Sequence, residues 1–322
     1  MKNLPAKVVR LIASLFAVCT FNFFLFHLIP GDPIRLIART QKLDPAAVAK
    51  LRKEFGLDGS LLQQYFVYLN NLLHGDLGYS FTLRESVGLV LGRALINTAI
   101  LLTCSTLIVV LIGIGIGVFA GSRYGSKKDS GVVLTSLVLW SLPTFWVGML
   151  LVFAFGVWLG NLPLAGITTP NAVYASYLAY VFDIARHLVL PTATLAVVDI
   201  AFFVTVTRTS LVEVLNEDYM LTARGKGLSR RALVWKHGVR NALLPVVTAS
   251  ALYISALVGG AIQVEVVYSW PGMGLLMYNS VLARDYPVLE AAFLVSAVVV
   301  LIANFASDLI YRILDPRVGV ST

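Results

Sequence analysis

Residues Leu95–Ala120 read LINTAILLTCSTLIVVLIGIGIGVFA, an unbroken run without one charged side chain. A helix needs about 20 predominantly apolar residues to cross the hydrocarbon of a bilayer, so this stretch is long enough to span. On either side lie five more such runs: Val8–Ile29, Val132–Trp158, His187–Thr207, Ala242–Val264 and Val288–Ala306. The whole chain of 322 residues is 58% hydrophobic and 13% charged, whereas soluble domains are about 45–50% apolar and about 25% charged. A water-soluble core of this size cannot hide that surplus, so lipid must cover much of it. The first run has a basic start (Lys2, Lys7, Arg10). Its apolar part is too long for a cleaved signal and no small-x-small site follows, so it is expected to remain as an anchor. The reading is an all-α membrane protein: one transmembrane domain over residues 1–322, with six spans.

Lysine and arginine placement sets the expected orientation. With the N-terminus in the cytoplasm, that side carries fifteen basic residues against five acids, and the opposite side ten against nine. The net charge of +8 is thus topological, and no soluble basic domain exists to bind nucleic acid. Six spans return the C-terminus to the cytoplasm. Cys19 and Cys104 lie in apolar runs and have no ligand-like neighbours, and the four histidines are scattered.

The longest segment outside the spans, about 30–94, has helical signals. Asp44-Pro45 before Ala46–Phe55 and Gly56 reads as a capped helix. Leu62, Tyr65, Phe66, Leu69 and Leu73 recur at helical spacing, as in an amphipathic helix at the outer interface. Ser269-Trp270-Pro271-Gly272-Met273-Gly274 breaks the chain after the fifth run; the plainest account of it is an aromatic-belt loop. Gly113, Gly117 and Gly121, four apart, leave a nearly bare helix face, which suits close helix packing. Acids at membrane depth are few. Asp199 lies mid-span, and Glu265 and Asp308 lie near span ends. A carboxylate at the bilayer centre costs a few kcal/mol, so Asp199 should face protein or a water-filled cavity.

Between the fourth and fifth runs, in the segment about 208–241, comes EDYMLTARGKGLSRR (Glu217–Arg231), followed by His237 and Arg240-Asn241-Ala242-Leu243-Leu244-Pro245. Asp218 can cap a short helix, Gly225 or Gly227 can end it, and Ser229 can cap the next. On that second helix, Leu228, Ala232, Trp235 and Val239 are expected to form one apolar stripe, away from Arg230, Arg231, Lys236 and Arg240. Two uses fit: a rigid knob for a soluble partner, or a basic helix held by anionic lipid.

This stretch resembles the cytoplasmic signature of bacterial ABC importer permeases of the dipeptide/oligopeptide/nickel family. Similar motifs run from end to end: Ile29-Pro30-Gly31-Asp32-Pro33, His74-Gly75-Asp76-Leu77-Gly78 with Ser80, the Ser269–Gly274 turn, Arg284-Asp285-Tyr286-Pro287 and Leu314-Asp315-Pro316-Arg317. The chain is similar to the B-type subunit, which has a long loop between its first two spans. One place departs. The general importer signature has Glu-Ala-Ala with Gly following, and aligned on Gly227 those positions hold Leu221, Thr222 and Ala223. The docking role carries over; a salt bridge from the first position does not.

The resemblance implies a type I ABC importer permease-like bundle in a bacterial inner membrane, with a coupling helix whose residues are Asp218, Tyr219, Thr222, Ala223, Arg224, Lys226, Gly227 and Leu228. It implies four partners: a second homologous permease, two ATP-binding subunits and an extracytoplasmic substrate-binding protein. ATP and magnesium would sit on those subunits, and this chain would bind no cofactor. The chain has no G-x-x-x-x-G-K-S/T phosphate loop and no catalytic constellation, so it is not expected to be an enzyme. Asp199 and Glu265 are the substrate-path candidates. Asp199 could meet the amino terminus of a peptide, and equally could be a hydrogen-bonded structural acid. The expected cargo is a dipeptide or oligopeptide, with a nickel chelate as the alternative. From another class, an ion-coupled secondary transporter would use the same two acids, and an intramembrane enzyme would need a ligand cluster that the sequence does not supply.

Overall fold

The computed structural model describes residues 4–28, 44, 59–80 and 82–314. The expected helix at Ala46–Phe55, the Ile29–Pro33 motif and the Asp315–Arg317 tail lie outside them. In chain order the elements are helices α1 (Leu4–Leu28) and α2 (Leu61–Leu73), strands β1 (Tyr79–Ser80) and β2 (Glu85–Ser86), then α3 (Val87–Gly121), α4 (Lys127–Trp140) and α5 (Thr144–Leu151) with a π-helical extension, Val152–Trp158. There follow α6 (Tyr177–Leu215), α7 (Asp218–Gly225), the single turn α8 (Arg230–Ala232) with a π-helical segment Leu233–Gly238, α9 (Val239–Gly260), α10 (Ile262–Val267), α11 (Met273–Ala283) and α12 (Tyr286–Leu314). Helices dominate because a backbone in hydrocarbon must satisfy its own hydrogen bonds. By length and composition, four described helices can cross a bilayer: Lys7–His27, Val87–Gly121, Tyr177–Leu215 and Tyr286–Ala306.

The structure redraws several expected boundaries. The run Val132–Trp158 is two helices bent by 95°. Pro143 supplies no N–H and sits in extended backbone (ψ 127°), so α4 stops at Trp140 and α5 starts afresh. The second run begins earlier than expected, at Val87, and so takes in Arg93, which pairs with Glu85 at 2.9 Å on the exposed side. The fifth run is interrupted at Ala261, between α9 and α10.

The chain divides into two compact units, residues 1–97 with 272–301 and residues 98–271 with 302–322. In the first, Ser60 caps α2 through a reciprocal box with Gln63. Tyr65 and Tyr68 pack α2 against Phe23 of α1, and the Thr20 and Tyr65 hydroxyls are 2.7 Å apart. Of the expected α2 stripe, Leu62, Phe66 and Leu73 stay exposed; the aromatic edge, not the whole stripe, meets α1. Asn22 donates to the Glu290 carbonyl. The β1–β2 hairpin pairs Tyr79 with Ser86, and the buried Ser80 hydroxyl donates to Asp285. Val87, Leu91, Ala94, Met273, Val288 and Ala292 form the core of this unit.

In the second unit α3 lies against α6 along the glycine face. A Cβ built on Gly113 would stand 2.5 Å from the Phe203 Cβ, and one on Gly117 would stand 2.6 Å from the Thr207 Cβ. Gly121 faces the Arg208 carbonyl at 3.1 Å on the same measure. The spacing of four repeats on both helices, so backbone meets side chain with nothing between. Tyr268 is fully buried: its hydroxyl lies 2.8 Å from Thr194 on α6 and donates to the Gly148 carbonyl of α5. Trp270 is 0% exposed, so the turn after α10 is a core plug and not an aromatic-belt loop. Tyr174, in the loop before α6, donates to Asp183 at 2.6 Å, and that carboxylate holds the phenol above its usual range.

Gly117→Leu is expected to force α3 from α6 and to destabilise the protein by about 1–3 kcal/mol, as overpacking does. Gly115, whose missing Cβ would meet nothing within 4 Å, should accept alanine without loss. Thermal unfolding of the purified chain in detergent checks both.

Candidate coupling surface and translocation path

The short helix α7 follows the end of α6 after one turn. Glu217 holds the N-cap position in extended backbone, one residue before the expected Asp218, which is instead the first helical residue. The helix ends at Gly225, with Lys226 as C-cap, and Gly227 then takes φ +79°. That left-handed backbone suits glycine, and it turns the chain toward the Ser229-capped turn α8.

Of the eight expected coupling residues, Asp218, Tyr219, Thr222, Arg224, Lys226, Gly227 and Leu228 are exposed and Ala223 is half-buried. Met220, between them, is completely buried. The pattern is that of a knob: one apolar pin inward, the polar residues outward together with Leu221 and Leu228. Met220 is not legible as the pin in the sequence, because Tyr219 and Leu221 beside it are also apolar and so short a run has no periodicity to choose among them. Asn241 donates to the Tyr219 hydroxyl at 2.7 Å, joining the two halves of the motif, and Arg224 donates to the Leu215 carbonyl at 3.2 Å.

The segment after α8 departs from expectation. The predicted stripe of Leu228, Ala232, Trp235 and Val239 assumed ordinary helical spacing. Residues 233–238 are π-helical, and the buried positions are Leu233, Val234, Gly238 and Val239, which repeat at five. The wider turn rotates Trp235 outward, where it is 59% exposed. Val234, Val239 and Ala242 pack with Val118 and Leu211, seating the segment against α3 and α6.

A charge clamp closes the same end. Arg208, in the last part of α6, grips Asp129 in the first turn of α4 through two bonds, Nε–Oδ1 at 2.5 Å and Nη2–Oδ2 at 2.8 Å. The Asp129 side chain is 3% exposed. Gly125 N–H donates to Oδ2 at 3.0 Å, and the carboxylate sits favourably at a helix start. In the sequence both residues bear only on orientation. An arginine directly after the fourth apolar run, with an acid just before the third, is the signal that could have paired them.

The two path candidates have separate partners. Asp199, half-buried on α6, accepts a hydrogen bond from Tyr253 of α9 at 2.6 Å, and that ring packs edge-on to Phe203. Glu265 on α10 is 0% exposed and accepts from Thr98 of α3 at 2.6 Å. Among the described residues, no group of three or more His, Cys, Asp or Glu could hold a metal ion.

Comparison with known proteins bears on this arrangement. Residues 113–320 match the model for binding-protein-dependent transport system inner membrane components, and residues 1–102 match that for the N-terminal part of such membrane components. The chain is 36% identical over 308 residues to the oligopeptide transport system permease protein AppB of Bacillus subtilis, covering 95% of this chain and 96% of that one. It is 33% identical over 324 residues to the dipeptide transport system permease protein DppB of Escherichia coli K12, covering 95% of each. Among solved structures it superposes on a chain of the MetNI methionine ABC transporter in an inward-facing conformation, with a TM-score of 0.57 at 19% identity over 70% of this chain and 96% of that chain. A second likeness, to an amino acid ABC transporter, has a TM-score of 0.52 at 16% identity, over 69% of this chain and 93% of that one. Both show a shared fold.

Arg208→Met is expected to leave the Asp129 carboxylate buried without its cation and to cost about 3 kcal/mol. The double variant Asp129→Asn/Arg208→Met should lose less than the sum of the single losses. Unfolding midpoints of the four proteins complete the cycle.

Proposed function

The chain belongs to the family of binding-protein-dependent transport system inner membrane components, and from that premise we propose that it is the permease subunit of an ATP-driven importer of dipeptides or oligopeptides. Peptide cargo is supported by the oligopeptide and dipeptide permeases among its relatives. On this reading it crosses the inner membrane six times with both termini in the cytoplasm, which the lysine and arginine asymmetry supports. It pairs with a second, homologous permease. Two ATP-binding subunits carry ATP and magnesium, and a binding protein delivers substrate from outside.

The observation that carries the proposal is the exposed helix α7, pinned by one buried methionine beside the end of α6. A short rigid helix outside the bundle can take force from a soluble partner. Its docking surface is Asp218, Tyr219, Thr222, Ala223, Arg224, Lys226, Gly227 and Leu228. Movement of α7 reaches α6 through the Arg224–Leu215 contact and the packed π-helical segment, and reaches α4 through the Asp129–Arg208 clamp. Rigid elements of this kind transmit a rigid-body rearrangement without needing a flexible lever. Asp199 and Glu265 are the acids that would meet the cationic end of a peptide when the path opens, Asp199 by exchanging its Tyr253 partner.

Gly227→Val is expected to abolish ATP-dependent uptake while the chain still inserts, since a side chain in left-handed backbone costs about 1–2 kcal/mol and redirects the turn behind α7. Gly227→Asn, which tolerates that backbone, should keep most uptake. Radiolabelled dipeptide uptake into vesicles holding the assembled transporter measures both; normal transport by Gly227→Val would refute the coupling role. In the same assay Asp199→Asn is expected to weaken substrate affinity several-fold, and unchanged uptake would make Asp199 a structural acid. Uptake by this chain alone, without nucleotide, would favour ion-coupled transport instead.

A further inference from the structure

Where α3 ends, a groove of about 520 Å3 opens between its last turns and the π-helical segment. Gly115, Val118 and Val234 are among its apolar lining. Arg123, Arg230, Arg231 and Trp235 also line it, and among the described residues no carboxylate does. Two of the guanidinium groups are held in place: Arg123 lies 4.0 Å from the centroid of the Phe119 ring, and Arg230 donates to the Ser122 carbonyl at 2.6 Å. Three cations around one opening repel one another unless an anion sits among them.

The groove also continues in one direction. Gly115, Leu111 and Ile108 recur at helical spacing on α3. Leu111 is 68% exposed and Ile108 40%, and open space lies where a Gly115 side chain would be. An apolar lane therefore leads from the arginine rim back along a helix that is uncharged from Ala94 to Ser122. We propose that this groove binds an anionic phospholipid. The phosphate sits among Arg123, Arg230 and Arg231, the Trp235 indole lies at headgroup depth, and an acyl chain follows the lane from Gly115 to Ile108. An acidic protein surface would satisfy the arginines but would leave the lane uncovered.

The test uses the full chain in phosphatidylcholine vesicles containing some phosphatidylglycerol, with bromine on the acyl chains of one lipid or the other. Quenching of Trp235 is taken as the difference from Trp235→Phe. Brominated phosphatidylglycerol is expected to quench several-fold more than brominated phosphatidylcholine at equal mole fraction. Arg123→Gln/Arg231→Gln should equalise the two. Gly115→Phe, which leaves every charge in place, should reduce quenching by phosphatidylglycerol, and Lys236→Gln, outside the groove, should preserve the preference. Equal quenching in the unaltered chain, or a preference that survives the double substitution, overturns the proposal. A preference lost equally in Lys236→Gln reports surface charge alone and also overturns it. Competition by inorganic phosphate would assign the site to a free anion, and loss of the preference on adding the ATP-binding subunits would assign it to a protein contact; either outcome replaces the lipid.

Discussion

The close approach of α3 and α6 depends on an absence of side chains. In hydrocarbon there is little hydrophobic gain from bringing two apolar helices together, so association rests on packing contact and polar bonds. Gly113, Gly117 and Gly121 let the backbone of α3 reach the side chains and carbonyls of α6 directly. That contact brings the last turn of α3 beside Leu211, where the π-helical segment and α9 also pack. The proposed coupling surface has a fixed base because three elements meet on this backbone contact.

Polar bonds then fix what apolar packing leaves free. The Asp129–Arg208 fork, the Asp199–Tyr253 bond and the Thr98–Glu265 bond each join different helices of the second unit. Each places a carboxylate where hydrocarbon or protein would otherwise leave it without water, and an acid so placed is tolerated only with a partner. The arrangement has two consequences. It specifies which helix faces meet, since a rotated helix would strand its acid. It also provides contacts that an incoming cationic substrate group can replace, as proposed for Asp199.

At the basic end, geometry and chemistry are divided between neighbours. The buried Met220 anchors α7 while its polar residues remain outside, and the π-helical turns move Trp235 away from the packed face, beside Arg230 and Arg231 of the preceding turn α8. An ordinary helix through Leu233–Gly238 would have turned Trp235 toward the packed stripe. The wider turn buries Gly238 in its place, close against Leu211 and Leu215, and opens the groove in which the arginines converge.

Hydropathy and charge alone determined that this is a helical membrane protein and where most of its apolar runs lie; the signature between the fourth and fifth runs was legible only through its resemblance to a known family. These properties were legible because they are local: an uncharged run of sufficient length has one stable state in a bilayer, and a capping residue such as Ser229 acts within a single turn. The bend at Pro143 was latent in the sequence, but its 95° angle required coordinates. The pairings were not legible, because Asp129 and Arg208, Thr98 and Glu265, and Tyr219 and Asn241 are far apart in sequence and meet only when helices pack. The five-residue repeat of the π-helical segment was also hidden, since the same residues fit a 3.6-residue stripe equally well. Only tertiary packing against Leu211 decided which of the two periods buries more apolar surface.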